Sequence, residues 1–87
     1  MVKLKIYSKP NCMACKMTSN ITQSMHIPHS LTVIHPESPK DSKLIDQLKN
    51  KYHVRQMPFV QAVKDGHIID SWTGFQPDKI KQYRKEA

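Results

Sequence analysis

Val2-Lys3-Leu4-Lys5-Ile6-Tyr7-Ser8-Lys9-Pro10-Asn11-Cys12-Met13-Ala14-Cys15 decides how this chain reads. Val2, Leu4 and Ile6 alternate with Lys3, Lys5 and Tyr7, the period of a strand with one buried face. Ser8-Lys9-Pro10-Asn11 breaks that strand and delivers Cys12 and Cys15, the only two cysteines of the chain, to the mouth of a helix. Two thiols spaced C-x-x-C at such a point read as a dithiol that cycles to a disulfide. No other residues offer a nucleophile, a cofactor cradle or a carboxylate pair of comparable specificity.

Outward from that segment, Met13, Met17, Ile21 and Met25 recur every fourth residue, a helical stripe expected to face the core and closed by Pro28. Leu31 to Ile34 reads as a second strand. Ser38-Pro39-Lys40-Asp41 carries the signals of a helix start: serine as N-cap, proline at the first position, an acid at the third. Leu44, Ile45, Leu48 and Tyr52 supply that helix's apolar face. Phe59 to Val63 and His67 to Ser71 are strands joined by Asp65-Gly66, a strong hairpin turn. Pro77 opens a final short helix carrying Ile80 and Tyr83. The order β-α-β-α-β-β-α predicts an α/β domain over residues 1–87, with a right-handed βαβ half followed by an antiparallel hairpin and a helix. A four-stranded mixed sheet with three helices follows from that order.

Eighty-seven residues allow one domain with a small core. The beginning of the chain has no apolar h-region, so no secretory signal is expected, and no apolar run approaches the roughly 20 residues that span a bilayer. The expected setting is cytoplasmic, where a lasting structural disulfide is disfavoured and a transient one is the better reading. The formal charge is +7, from 14 Lys and Arg against 7 Asp and Glu. Lys3, Lys5, Lys9, Lys16, Lys40, Lys43, Lys49 and Lys51 are scattered rather than massed, and Lys79 to Lys85 reads as a solvated helix face. That pattern favours steering of acidic protein partners over nucleic-acid binding.

A thiol attacks only as thiolate, and an unperturbed cysteine near pKa ~8.5 is mostly protonated at neutral pH. A helix N-terminus presents unpaired N–H groups and the positive end of the macrodipole, so Cys12 there is stabilised as an anion. Lys9 and Lys16 add positive potential. Cys15 lies a turn deeper on a more apolar stretch, so Cys12 is the expected attacking thiol and Cys15 the resolving one. Two other readings exist for the pair. Cys12, Cys15, His26 and His29 come near a zinc-finger spacing, but Pro28 between the histidines prevents one continuous helix from carrying both. Two buried structural cysteines are the bland alternative. The histidines at 26, 29, 35, 53 and 67 are dispersed and receive no role.

Three motifs then carry a resemblance over essentially the whole chain: Tyr7-Ser8-Lys9-Pro10-Asn11-Cys12-Met13-Ala14-Cys15, Arg55-Gln56-Met57-Pro58 and Ser71-Trp72-Thr73-Gly74-Phe75-Gln76-Pro77-Asp78. In that order they resemble the NrdH-type redoxins, glutaredoxin-like members of the thioredoxin fold. The last motif is close to that family's W-S-G-F-R-P-D signature, with Thr73 for serine and Gln76 for arginine. The resemblance implies a dithiol-disulfide oxidoreductase, reduced by thioredoxin reductase and serving the large subunit of a class Ib ribonucleotide reductase in deoxyribonucleotide synthesis. It implies a monomer with no cofactor, no bound metal, and no nucleic-acid or membrane partner. It also implies a cis peptide at Met57-Pro58, with the Met57 backbone open to an extended substrate. Lys9, Met57, Pro58, Trp72, Gly74 and Phe75 are thus the expected partner-binding residues, with Trp72 structural first and docking second. The nearest rival is a glutathione-dependent glutaredoxin. Such proteins usually carry a Gly-Gly-x-Asp turn and a Thr-Val-Pro, where this chain has Trp72-Thr73-Gly74-Phe75 and Gln56-Met57-Pro58. Zinc- or nucleic-acid-binding modules are the alternatives from another class.

Overall fold

The structure is a computed structural model that describes residues 2–35, 37–54 and 56–84. Strand β1 (Val2–Ser8) leads into helix α1 (Met13–Ser24), strand β2 (His29–Val33), helix α2 (Pro39–Tyr52), strands β3 (Phe59–Lys64) and β4 (His67–Thr73), and helix α3 (Pro77–Gln82). The sheet order is β2-β1-β3-β4. β1 runs parallel to β2, while the β1/β3 and β3/β4 pairs are antiparallel. This is the expected thioredoxin/glutaredoxin-like arrangement.

The pleat of β1 divides two cores. Val2, Leu4 and Ile6 point to one face, where they join Val60, Ala62, Trp72, Ile27, Ile80 and Tyr83, with Ile21 and Met25 packed alongside. Tyr7 points to the other, against a cluster of Ile34, Leu48, Val54 and Phe59 edged by Leu44, Ile45 and Met57. So α1 and α3 cover one face and α2 the other, as side-chain alternation along a central strand requires. Burial tilts the phenol of Tyr7 toward its neutral form, and the nearby Tyr52 adds to that, raising its pKa.

The methionine stripe does not form the inner face of α1. Cys15, Thr18 and Thr22 are its buried residues, while Met13 is 70% and Met17 41% exposed. The reason is helical phase. A spacing of four advances roughly 400° on a helix of 3.6 residues per turn, a drift of about 40° per step. Met13 and Met17 therefore face solvent, and only Ile21 and Met25 rotate into contact with the core. The two threonines are tolerated inside because their hydroxyls donate to Ala14 O and Thr18 O, each at 2.8 Å.

Other local expectations shift by a residue or two. β2 starts at His29, paired with Leu4, and ends at Val33. Ile34 follows it into the second core, its N–H still donating to Ser8 O at 2.7 Å. Ser38 is the N-cap of α2 but makes no side-chain cap bond; the Asp41 carboxylate instead accepts the His35 N–H at 2.9 Å. The hairpin holds Asp65 at φ 51° and Gly66 at φ 80°, the paired positive values of a type I′ turn. A bulge opposite Ala62/Val63 interrupts the β3/β4 register, and Ile68 and Ile69 beside it are exposed.

Trp72 and Asp70 tie β4 to α3. The Trp72 indole, 6% exposed, stacks on Tyr83 with centroids 6.0 Å apart and planes at 4°. The Lys79 ammonium lies 5.8 Å above the indole. The same Lys79 donates to Asp70 Oδ2 at 3.0 Å, the Tyr83 hydroxyl donates to it at 2.9 Å, and the Ser71 N–H donates to Oδ1 at 2.8 Å. Partial burial opposes ionisation of Asp70, but these bonds outweigh it and hold the carboxyl below its usual range.

Two outcomes follow. Trp72→Ala removes a packed aromatic and lowers stability by about 3–5 kcal/mol, read as a fall in the thermal or denaturant midpoint. Asp70 has a depressed folded pKa, so its contribution is complete above the unfolded value, near ~3.9, and disappears as pH falls through the lower folded value. Asp70→Asn lowers the denaturant midpoint at pH 7 and flattens the loss of stability on acidification below about pH 4; an acid limb identical to wild type would contradict this.

Candidate active site

The site is built where β1 ends. Asn11 takes a left-handed conformation, φ 58°, which asparagine tolerates better than most residues. That turn places Cys12 in extended conformation as the N-cap of α1. Cys12 and Cys15 are joined in a disulfide, their Cα atoms 5.2 Å apart. The Cys15 N–H donates to Cys12 Sγ at 3.2 Å, and Lys16 N–H donates to Cys12 O at 3.1 Å, closing the first turn. The sulfur of Cys12 therefore already sits where the helix offers a donor and the positive end of its dipole, with no acid in the first turn to oppose it. Cys12 is half-buried, whereas Cys15 is 4% exposed.

A cavity of about 470 Å³ opens on the disulfide, lined by Ser8, Lys9, Asn11, Met13, Lys16, Ser19 and Leu31 beside the two cysteines. Ser8 ends β1 next to the cysteine turn and Ser19 lies one helical turn after Cys15 on α1; Leu31 carries no sequence signal for this role and arrives because β2 lies next to β1 in parallel register. Lys9 lines this cavity and also a smaller one, about 150 Å³, with Ile45, Leu48, Lys49, Val54, Gln56 and Met57.

The Met57–Pro58 peptide is cis. Pro58 lies one residue before the Tyr7/Phe59 pair, so the register sets it at the same sheet end as Ser8. Gly74 N–H donates to Pro58 O at 2.9 Å, binding the β4–α3 turn to the entrance of β3. Gly74 adopts φ 80°, a conformation that favours glycine, and a Cβ there would press on the end of the exposed Gln56 side chain, 3.0 Å away at Nε2. Gln56 Nε2 donates to Thr73 Oγ1 at 3.4 Å, and Gln76 Nε2 donates to Thr73 O at 2.8 Å. Thr73 and Gln76 thus form their own hydrogen-bonded turn. Phe75 is half-buried. Trp72 supports the turn from the core and lines neither cavity. Arg55, part of the second motif, lies outside the described residues.

His29 Nδ1 is 2.8 Å from Ile27 O, and His26 ends the α1 turn at φ 56°. Among the described residues no group of three or more His, Cys, Asp or Glu is arranged to hold a metal ion, and no helix is long and apolar enough to cross a membrane.

Sheet order, the cysteine pair at the start of α1 and the cis-proline before β3 together define a thioredoxin-fold protein with a C-x-x-C disulfide. Solved structures agree on the fold. The chain is similar to the NrdH-redoxin of Escherichia coli, described as a glutaredoxin-like protein with a thioredoxin-like activity profile: 22% identity, 92% of each chain covered, TM-score 0.65. It is similar also to a thioredoxin-like protein at 23% identity, covering 91% of this chain and 96% of that one, TM-score 0.67. The thioredoxin of Aeropyrum pernix shares 16% identity over 99% of this chain and 75% of its own, TM-score 0.66. No family model matches the sequence, and no curated protein matches it.

The difference in access between the sulfurs sets an expected outcome. After reduction, Cys12 alkylates faster than Cys15 at neutral pH, and Cys15→Ser accumulates a mixed disulfide with substrate while Cys12→Ser accumulates none. Mass spectrometry of quenched samples reads both; equal alkylation rates would reverse the assignment of roles.

Proposed function

We propose that this chain is a dithiol-disulfide carrier of the NrdH type, reduced by thioredoxin reductase with NADPH as the electron source. Its acceptor is the disulfide of a class Ib ribonucleotide reductase large subunit. The observation that supports it best is the accessible Cys12 at the N-cap of α1 bonded to a buried Cys15. In the reduced protein the Cys12 thiolate attacks one sulfur of the target disulfide and displaces the other as thiolate. Cys15, losing its proton, then attacks Cys12 Sγ and expels the second target sulfur. Two electrons pass to the target, the Cys15 proton and one from solvent complete its two thiols, and the Cys12–Cys15 disulfide is formed. Thioredoxin reductase then supplies a new electron pair from NADPH, and with two protons this regenerates the dithiol.

Met57 offers its main chain to an extended partner segment beside Pro58, in the manner of an added strand. Gly74 and Phe75 form the adjoining surface, which Trp72 holds from beneath. The proposed setting is the cytoplasm, and the proposed working form is a monomer of one domain.

Glutathione is disfavoured as reductant. Holding its carboxylates calls for donors such as the bare N–H groups of a Gly-Gly turn, and here that turn is Trp72-Thr73-Gly74-Phe75, with the Gly74 N–H committed to Pro58 O. Losing two charge-assisted hydrogen bonds at ~1.5–3 kcal/mol each weakens binding about a hundredfold or more. NADPH oxidation with a model disulfide acceptor, coupled through thioredoxin reductase or through glutathione and its reductase, tests this. The thioredoxin-reductase arm runs faster; an equal or faster glutathione arm would make the chain a glutaredoxin.

A further inference from the structure

Lys9 lines both the disulfide cavity and the smaller cavity against α2. The two cavities therefore adjoin each other at Lys9. The smaller cavity has an apolar floor: Leu48 and Val54 are 3% and 5% exposed, and Ile45 and Met57 are half-buried members of the same cluster. At about 150 Å³ it falls well below the ~300–1,000 Å³ of pockets that enclose drug-sized ligands, a size suited to one side chain. Its rim is cationic. Lys9 and Lys49 stand there with the Gln56 amide, and Lys16 adds a third cation at the disulfide cavity. Among the described residues neither cavity is lined by a carboxylate, and none of these three lysines forms an ion pair. Gln56 already donates to the Thr73 hydroxyl, so the lysines are the groups left to recognise charge.

We propose that this cavity is a docking pocket for an apolar side chain flanked by carboxylates on the disulfide-bearing protein partner, with Lys49 as a specificity-determining residue. The proposal rests on the redox reading for the identity of the partner, but the pocket's affinity is measurable without any redox step. Apolar floor and cationic rim select jointly. The side chain leaves water against Leu48 and Val54, and its acidic neighbours reach the ammonium groups of Lys49 and Lys9 at the exposed edge. Such rim charges set partner choice and encounter rate, and salt weakens them. Lys49 has no sequence cue, because only the fold brings the α2 surface to the residue after β1.

The test is an amide-shift titration of the oxidised full chain with short cysteine-free peptides centred on Glu-Leu-Glu, Lys-Leu-Lys and Glu-Ser-Glu. The expected result is saturable binding of Glu-Leu-Glu, with shifts at Ile45, Lys49, Val54 and Met57. The other two peptides bind about tenfold more weakly or worse, and Lys49→Glu reverses the charge preference. Added sodium chloride narrows the gap between the acidic and basic peptides. Equal affinity for the acidic and basic peptides, shifts confined to other surfaces, or tighter binding of glutathione at the same amides would each overturn the proposal. Reduction of hydroxyethyl disulfide by the wild-type dithiol form is measured separately. Its failure would remove the redox reading and leave the peptide result to stand by itself.

Discussion

Everything at the redox centre depends on β1 being held from both sides. It is laddered to β2 in parallel and to β3 in antiparallel register, and its inward residues Val2, Leu4 and Ile6 are at most 1% exposed. A strand so enclosed has a fixed end. The short turn through Lys9, Pro10 and Asn11 then leaves Cys12 little choice of position, and α1 begins with that sulfur at its positive pole. Preorganisation of this kind favours an anion without any nearby basic catalyst, because the donors already point at it.

The second constraint is the bond between Gly74 N–H and Pro58 O. It fastens the β4–α3 turn to the start of β3, beside the Phe59/Thr73 pair of the ladder and the Gln56–Thr73 side-chain bond. Trp72, Tyr83, Asp70 and Lys79 brace the same turn from the core side. The consequence is functional as well as structural. The Gly74 N–H is satisfied within the chain, and the surface beside the disulfide is made of apolar area and lysine side chains.

Charge and burial are thereby separated in space. Of the described acids, Asp41 and Asp78 serve helix starts and Asp70 the β4–α3 brace, while Lys9, Lys16 and Lys49 border the two cavities. A formal charge of +7 says little by itself; its distribution around the disulfide gives it direction.

Local chemistry alone determined much of this protein. Alternation in Val2-Leu4-Ile6, the Asp65-Gly66 turn, and Pro39 and Pro77 at helix starts each act over a few residues, so the element order is written in the chain. The cysteine pair is legible for the same reason, since its spacing and the break before it are both local. Tertiary structure decided which face of each element turns inward. The four-residue methionine spacing is ambiguous between core and solvent, and the sheet chose Thr18 and Thr22, whose hydroxyls could be satisfied within α1. It also decided that Trp72 lies beneath the site rather than in its lining, and that Ile45, Lys49 and Val54 share a cavity with Lys9. These are contacts between residues far apart in sequence, and their energies exist only once the sheet has brought the elements together.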